Sequence, residues 1–210
     1  MIAHLEWCRD FIEHKCIFRS PNDRPMLTAA NGGVNTYQFY MPIALLDQQF
    51  RQRISALFWD RYAREFERRP FQICGCETGG VPLICALQAF AHERTVPVNV
   101  FAIKKKAKEY GIKNWIEGIV LENVPVLLVD DVVGKKRTLT TQAKRLTEFG
   151  LDVFGAFCVA ACKLNPPLSL DIDGREIEIK TFFGADDFTT SYGAYINKYG
   201  KAPEFYGATT

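Results

Sequence analysis

Histidine is scarce in this chain, with three among 210 residues, and His4, His14 and His92 lie far apart, so none is assigned to catalysis. No apolar run reaches the ~20 residues that a membrane-crossing helix needs. The opening residues, with Glu6, Arg9 and Asp10 among the apolar ones, do not read as a signal peptide. Neither sign of charge dominates. Twenty-six Lys and Arg against 24 Asp and Glu leave a net charge of +2, which argues against a general nucleic-acid-coating role. Seven cysteines, an odd number without a secretory signal, argue against a disulfide framework. Cys74, Cys76, Cys85, Cys158 and Cys162 lie in apolar runs and are expected as buried core thiols. These absences point to a cytoplasmic protein with no membrane partner and no structural zinc.

What is present is concentrated in three segments. Residues 126–138 read Val-Leu-Leu-Val-Asp-Asp-Val-Val-Gly-Lys-Lys-Arg-Thr. The apolar run suits a strand buried on both faces, with Asp130 and Asp131 at its carboxyl end, where open α/β sheets place ligands. Paired carboxylates there can accept bonds from vicinal hydroxyls or hold a hard cation such as Mg²⁺. A loop leading into a helix at Thr138 is a natural phosphate cradle. The bland alternative is a strand that ends in an acidic turn. The second segment, Phe71–Leu83, reads as strand 71–76, a tight turn over Glu77–Gly80, and a helix from Val81. Gly79 and Gly80 permit close approach of backbone N–H groups to an anion, although turns use glycine anyway. The third, Lys104–Gly118, has five lysines against one glutamate between 104 and 113. Such a segment is either solvated surface or a loop that closes on a polyphosphate.

Around these segments the periodicity predicts helix 2–16, a hairpin of 26–30 with 34–40 around Asn31-Gly32-Gly33, and one long helix over 43–66. In that helix Leu46, Phe50, Ile54, Leu57, Phe58 and Tyr62 face inward. Strand 71–76, helix 81–92, strand 96–103, strand 124–130, helix 138–149, strand 153–161 and strand 175–183 follow. The β-α-β alternation predicts an α/β fold with a parallel sheet flanked by helices. The aromatic tail, with Tyr192, Tyr195, Tyr199, Phe205 and Tyr206, is expected to pack on the core. The expected organisation is one domain over 1–210, with N-terminal helices at 1–66, a core at 70–163 and a C-terminal strand and tail at 164–210.

In this order the three segments resemble a type I phosphoribosyltransferase, most closely an orotate phosphoribosyltransferase. Glu77-Thr-Gly-Gly-Val-Pro-Leu83 looks like that family's pyrophosphate loop, Lys104–Gly118 like its flexible catalytic loop, and Val126–Thr138 like its phosphoribosyl pyrophosphate (PRPP) strand and loop. The resemblance implies the family's fold with an N-terminal hood, and pentosyl transfer in pyrimidine nucleotide biosynthesis. It also implies Mg²⁺ as cofactor, PRPP and a nitrogen base (orotate or similar) as partners, and a homodimer. It assigns catalysis to Lys105, Lys108 and Asp131. PRPP binding falls to Glu77, Thr78, Gly79, Gly80, Lys104, Asp130, Asp131, Gly134, Lys135, Lys136, Arg137 and Thr138. Asp130 and Asp131 would hold the ribose hydroxyls, directly or through Mg²⁺, and are the residues assigned to the metal, whether by direct or indirect contact. Tyr37, Phe39, Tyr40 and Lys163 would meet the base.

The chain departs from the family pattern. Gly134-Lys-Lys-Arg137 stands where small residues normally wrap the 5′-phosphate; either bulky residues, disfavoured at positive φ, block a tight amide nest, or the three cations bind the phosphate through their side chains. Lys104 stands for an arginine, Tyr110 for a histidine, and Cys162-Lys163 for an Asp-Arg pair. Leu27-Thr-Ala-Ala-Asn-Gly32 lacks the hood lysine. Two functions from different classes follow: transfer of ribose 5-phosphate from PRPP to a base, or a non-catalytic PRPP or nucleotide sensor that keeps the fold.

Overall fold

The computed structural model describes residues 1–27, 34–105 and 115–204. Helix α1 (Ile2–Phe11) continues into a π-helical turn, Ile12–Cys16, so the helix expected over 2–16 is present. Strand β1 (Ile17–Arg19) is followed by β2 (Met26–Leu27), β3 (Val34–Asn35) and β4 (Tyr37–Phe39). β2 pairs antiparallel with β3, and β1 with β4. The Asn31-Gly32-Gly33 turn lies outside the described residues.

The single helix expected over 43–66 is instead two, α2 (Pro42–Leu46) and α3 (Gln48–Arg68). Asp47 breaks it: its backbone is extended, and its carboxylate accepts the Phe50 N–H at 2.8 Å as an N-cap, a role that Asp fills readily. The break resets the helical phase. Leu46, expected inward, is 71% exposed, while Phe50, Ile54, Leu57, Phe58 and Tyr62 are buried.

The remaining strands and helices alternate: β5 (Gln72–Cys76), α4 (Gly80–Glu93), β6 (Val100–Ile103), β7 (Ile116–Glu117), β8 (Val126–Val133), α5 (Arg137–Glu148), β9 (Val153–Ala161), β10 (Leu168–Ile172), β11 (Arg175–Phe183) and α6 (Tyr192–Tyr199). Seven strands form one sheet in the order β10-β11-β9-β8-β5-β6-β7. The five inner strands run parallel, and β10 and β7 are antiparallel edges. β6 is shorter than the strand expected from residue 96, because Pro97 has no N–H to give a ladder. Strand β10 is not among the expected elements, although a turn over Asp171–Gly174 and the strand after it are, and together they make the β10–β11 hairpin. It turns at Asp173-Gly174, both at positive φ, and its buried Leu168, Leu170 and Ile172 alternate as a half-buried strand requires.

Two apolar cores sandwich the sheet. One joins α1, α3 and α4 to it through Ile54, Phe58, Leu83 and Leu87; the other joins α5 and the β10–β11 hairpin through Leu139, Ala143, Leu146 and Leu170. Successive connections leave adjacent strands in opposite directions, β5 toward β6 and β8 toward β9, which opens a crevice at their carboxyl ends. Cys74, Cys76 and Cys158 are buried as expected, but Cys162 is half-buried and Cys85 is exposed on the outer face of α4.

The tail is bound to the N-terminal segment rather than to the sheet alone. Arg19, fully buried, pairs with Glu13 at 3.0 Å, donates to the carbonyls of Thr189 and Ile17, and lies over the Tyr195 ring. Glu13 also accepts the Thr189 N–H and the Tyr199 hydroxyl. Glu13→Ala therefore strands a buried guanidinium, with an expected loss of about 3–5 kcal/mol in urea unfolding. Lys144→Ala, at the exposed pair with Asp173, should cost under ~1 kcal/mol.

Candidate active site

The acid pair does not end its strand. β8 runs on to Val133, because β9 continues beside it through Val132↔Ala160 and Val133↔Ala161. Adjacent residues of a strand point to opposite sides, and the two acids serve two neighbours. Asp131 faces the turn after β5. A methyl group built on Gly79 would lie 2.4 Å from its Cγ, and one on Gly80 would lie 2.5 Å from the Val129 carbonyl oxygen. Only glycines allow this turn to lie against the strand, and α4 starts at once, at Gly80. Asp130 faces the start of α5, where it lines a cleft of about 320 Å³ with Gly134, Lys135, Lys136, Arg137 and Thr138.

Burial raises the pKa of both acids above the ordinary carboxylate range, and for Asp130 the neighbouring Asp131 adds to the rise; Lys105 acts against it on both. Asp130 accepts the Asp131 N–H at 3.0 Å, and Asp131 accepts the Val132 N–H at 2.8 Å. Among the described residues no ion pair reaches either carboxylate. Two hard oxygen donors held this way fit Mg²⁺ or a pair of ribose hydroxyls.

The loop before α5 turns into the helix with no glycine at its left-handed position. Lys136 takes the left-handed conformation itself, at φ 59°, and no side chain caps the first turn of α5, so N–H groups there are free to meet an anion. The Lys136 ammonium is bonded to the Ser169 carbonyl at 3.0 Å, whereas Lys135 and Arg137 are exposed beside the cleft. Gly134 is confined by Cys162, whose Sγ would lie 3.3 Å from a Cβ placed there.

Of the lysine segment, Lys105 donates its amide to Glu77 at 3.3 Å, and its positive charge opposes the pKa rise of both acids. Lys104 is buried, with its ammonium 2.6 Å from Glu117. Lys108 and Tyr110 lie outside the described residues. A second cleft, of about 690 Å³, is lined by Asn35, Tyr37, Lys163, Asp186, Phe188 and Thr190 among others. Lys163 reaches Asn35 at 2.7 Å, and the Tyr37 hydroxyl donates to the Cys162 carbonyl at 2.8 Å. Phe39 and Tyr40 are not brought to this cleft. Phe39 packs edge-on against Phe188, 5.3 Å between centroids, and Tyr40 lies beside Phe18. Asn35 and Asp186 are not among the expected site residues; 151 positions apart in sequence (186 − 35), they come together only as lining of this cleft, and no local pattern signals that.

The parallel sheet, with a glycine turn after β5 and an acid pair on β8, has the fold of solved phosphoribosyltransferases. In sequence the chain is similar to orotate phosphoribosyltransferases. It is 35% identical to that of Pyrococcus horikoshii over 122 residues, which make up 58% of this chain and 63% of that one. Its structure superposes on a phosphoribosyltransferase from Corynebacterium diphtheriae with a TM-score of 0.69 at 18% identity, covering 88% of this chain and 98% of that one. The Mycobacterium tuberculosis orotate phosphoribosyltransferase in complex with PRPP superposes with a TM-score of 0.62 at 16% identity, again over 88% and 98%. No protein-family model matches the chain.

The raised acids give a pH prediction for the ligand-free protein. A carboxyl whose folded pKa exceeds its unfolded one binds more protons when folded, so stability falls as pH rises from the ordinary carboxylate range through the folded pKa. Asp130→Asn removes that loss. The variant should melt above wild type at pH 8, with the gap closing toward pH 4 in calorimetric scans. A melting temperature equal to or below wild type at pH 8 refutes it.

Proposed function

We propose that the protein transfers ribose 5-phosphate from PRPP to a nitrogen base, orotate or a similar one, with release of pyrophosphate. The observation that carries this reading is the junction of Asp131 with the Gly79 backbone, one residue from an acid that lines the cleft at the uncapped start of α5. The 5′-phosphate sits in that cleft on the first-turn amides of α5, Thr138 and the exposed cations Lys135 and Arg137. Asp130 and Asp131 hold the ribose hydroxyls. The turn Glu77–Gly80 and Lys105 receive the pyrophosphate, with Lys108 from the same segment. Mg²⁺ bound with PRPP supplies neutralisation of the leaving group. As the bond from C1 to pyrophosphate breaks, positive charge builds on the ribose and negative charge on the leaving oxygen. The acids stabilise the first and Lys105 the second. A nitrogen of the base then bonds to C1 and gives up its proton.

The base enters at the Tyr37–Lys163 cleft, and residues 1–66 act as the hood over it within one domain. A cytoplasmic homodimer that assembles this way completes the reading. No helix among the described residues is long and apolar enough to cross a membrane.

Lys105→Ala should lower kcat roughly 10²-fold, as loss of one charge-stabilising donor does, with little change in the KM for PRPP. Asp131→Asn should abolish PRPP binding in a Mg²⁺ titration while the fold persists; an unchanged Kd sinks the site.

A sensor reading draws on one observation, that Lys136 has been drawn off to Ser169. Replacing Lys135-Lys136-Arg137 by Ser-Gly-Gly separates the two. If the cations bind the phosphate, PRPP affinity falls. If the site is a relic obstructed by them, affinity appears or rises.

A further inference from the structure

The stem of the lysine segment is held from α5, by residues that the reaction itself does not require. Gln142, only 2% exposed, donates its amide N–H to the Lys104 carbonyl at 3.0 Å. Arg145, three residues on and so on the same helical face, lies over the Trp115 ring at 3.5 Å from its centroid and reaches the Gln142 side-chain oxygen at 3.4 Å. Lys104 and Trp115 are the two sides of the stem, and the Lys104 amide donates to the Trp115 carbonyl at 2.9 Å. On the far side the Lys105 amide meets Glu77.

We propose that Gln142 and Arg145 are positioning residues: they clamp both sides of the stem onto α5 so that Lys105 is presented to the acid pair. The proposal rests on the reading of Lys105 as the group that meets developing charge. α5 is one rigid rod from Arg137 to Glu148. Its first turn lines the phosphate cleft, and its second and third turns carry the clamp. The ribose phosphate and the lysine that acts on the leaving group are therefore registered against the same helix. A displacement of Lys105 by a fraction of an ångström spoils its interaction with the transition state more than its attraction for bound PRPP, which is less sensitive to geometry.

Gln142→Met keeps the volume and removes the donor. With PRPP and orotate it should lower kcat about tenfold while the KM for PRPP stays within about twofold and the melting temperature is little changed. Arg145→Leu should lower kcat in the same direction. Both variants should increase acrylamide quenching of Trp115, whose share of the emission is marked by Trp115→Phe. Unchanged kcat in folded Gln142→Met overturns the proposal, and so does a matched loss of kcat and stability, which would mark a merely structural bond. If none of the bases tried supports turnover of PRPP by the wild-type protein, the activity reading fails by itself. The clamp is then judged on quenching: greater exposure of Trp115 in both variants supports it, and no change overturns it.

Discussion

The contact between the Gly79 backbone and the Asp131 carboxylate is the constraint around which the rest of the site is arranged. It requires two consecutive glycines, since any Cβ at 79 or 80 would collide with the acid or with the β8 backbone. It requires β5 and β8 to be neighbours, which the chain achieves only by sending β6 to one side and β9 to the other. It also brings the amide-rich turn beside the acids and fixes where α4 begins. The crevice at a strand-order reversal is a general feature of open α/β sheets. In this chain almost no free space separates the Gly79-Gly80 turn from strand β8.

Holding two acids in such a place costs stability. Burial raises both pKa values, the charge of Asp131 adds to the rise at Asp130, and hydrogen bonds from backbone amides relieve part of it. The cost is borne by the cores on either face of the sheet, where α3, α4 and α5 bury Phe58, Leu87 and Leu146 completely. A ligand that brings hydroxyls or a cation to the acids favours their ionised form. The same burial that weakens the empty protein thus strengthens the response to the ligand, as expected where a site is built on strained electrostatics.

Much of the core was legible in the sequence because its signals are local and redundant. The strand over 153–161 and the strand over 175–183 were read to the residue from apolar runs and alternation, and α5 to within one residue at each end from its Gly150 stop. The misreadings have physical causes. Asp47 in a run of helix formers was read by propensity, although its own side chain is a cap that ends one helix and begins another. The continuation of β8 past its acids depends on pairing with β9, which composition does not reveal. The second cleft was half legible. Tyr37 and Lys163 were anticipated, whereas Phe39 is drawn into the core by Phe188, a residue of the tail 149 positions away.

The phosphate loop bears most directly on what the chain does, and its departure from small residues reads differently once its backbone is seen. A lysine at positive φ is disfavoured, yet Lys136 takes that conformation and anchors its ammonium on β10. The hydrogen bond offsets part of the conformational cost and holds the turn in the shape a glycine would otherwise supply. The loop therefore divides its labour. On the proposed reading Lys136 shapes the turn, and Lys135 and Arg137, exposed on either side of it, add charge that an all-glycine loop lacks.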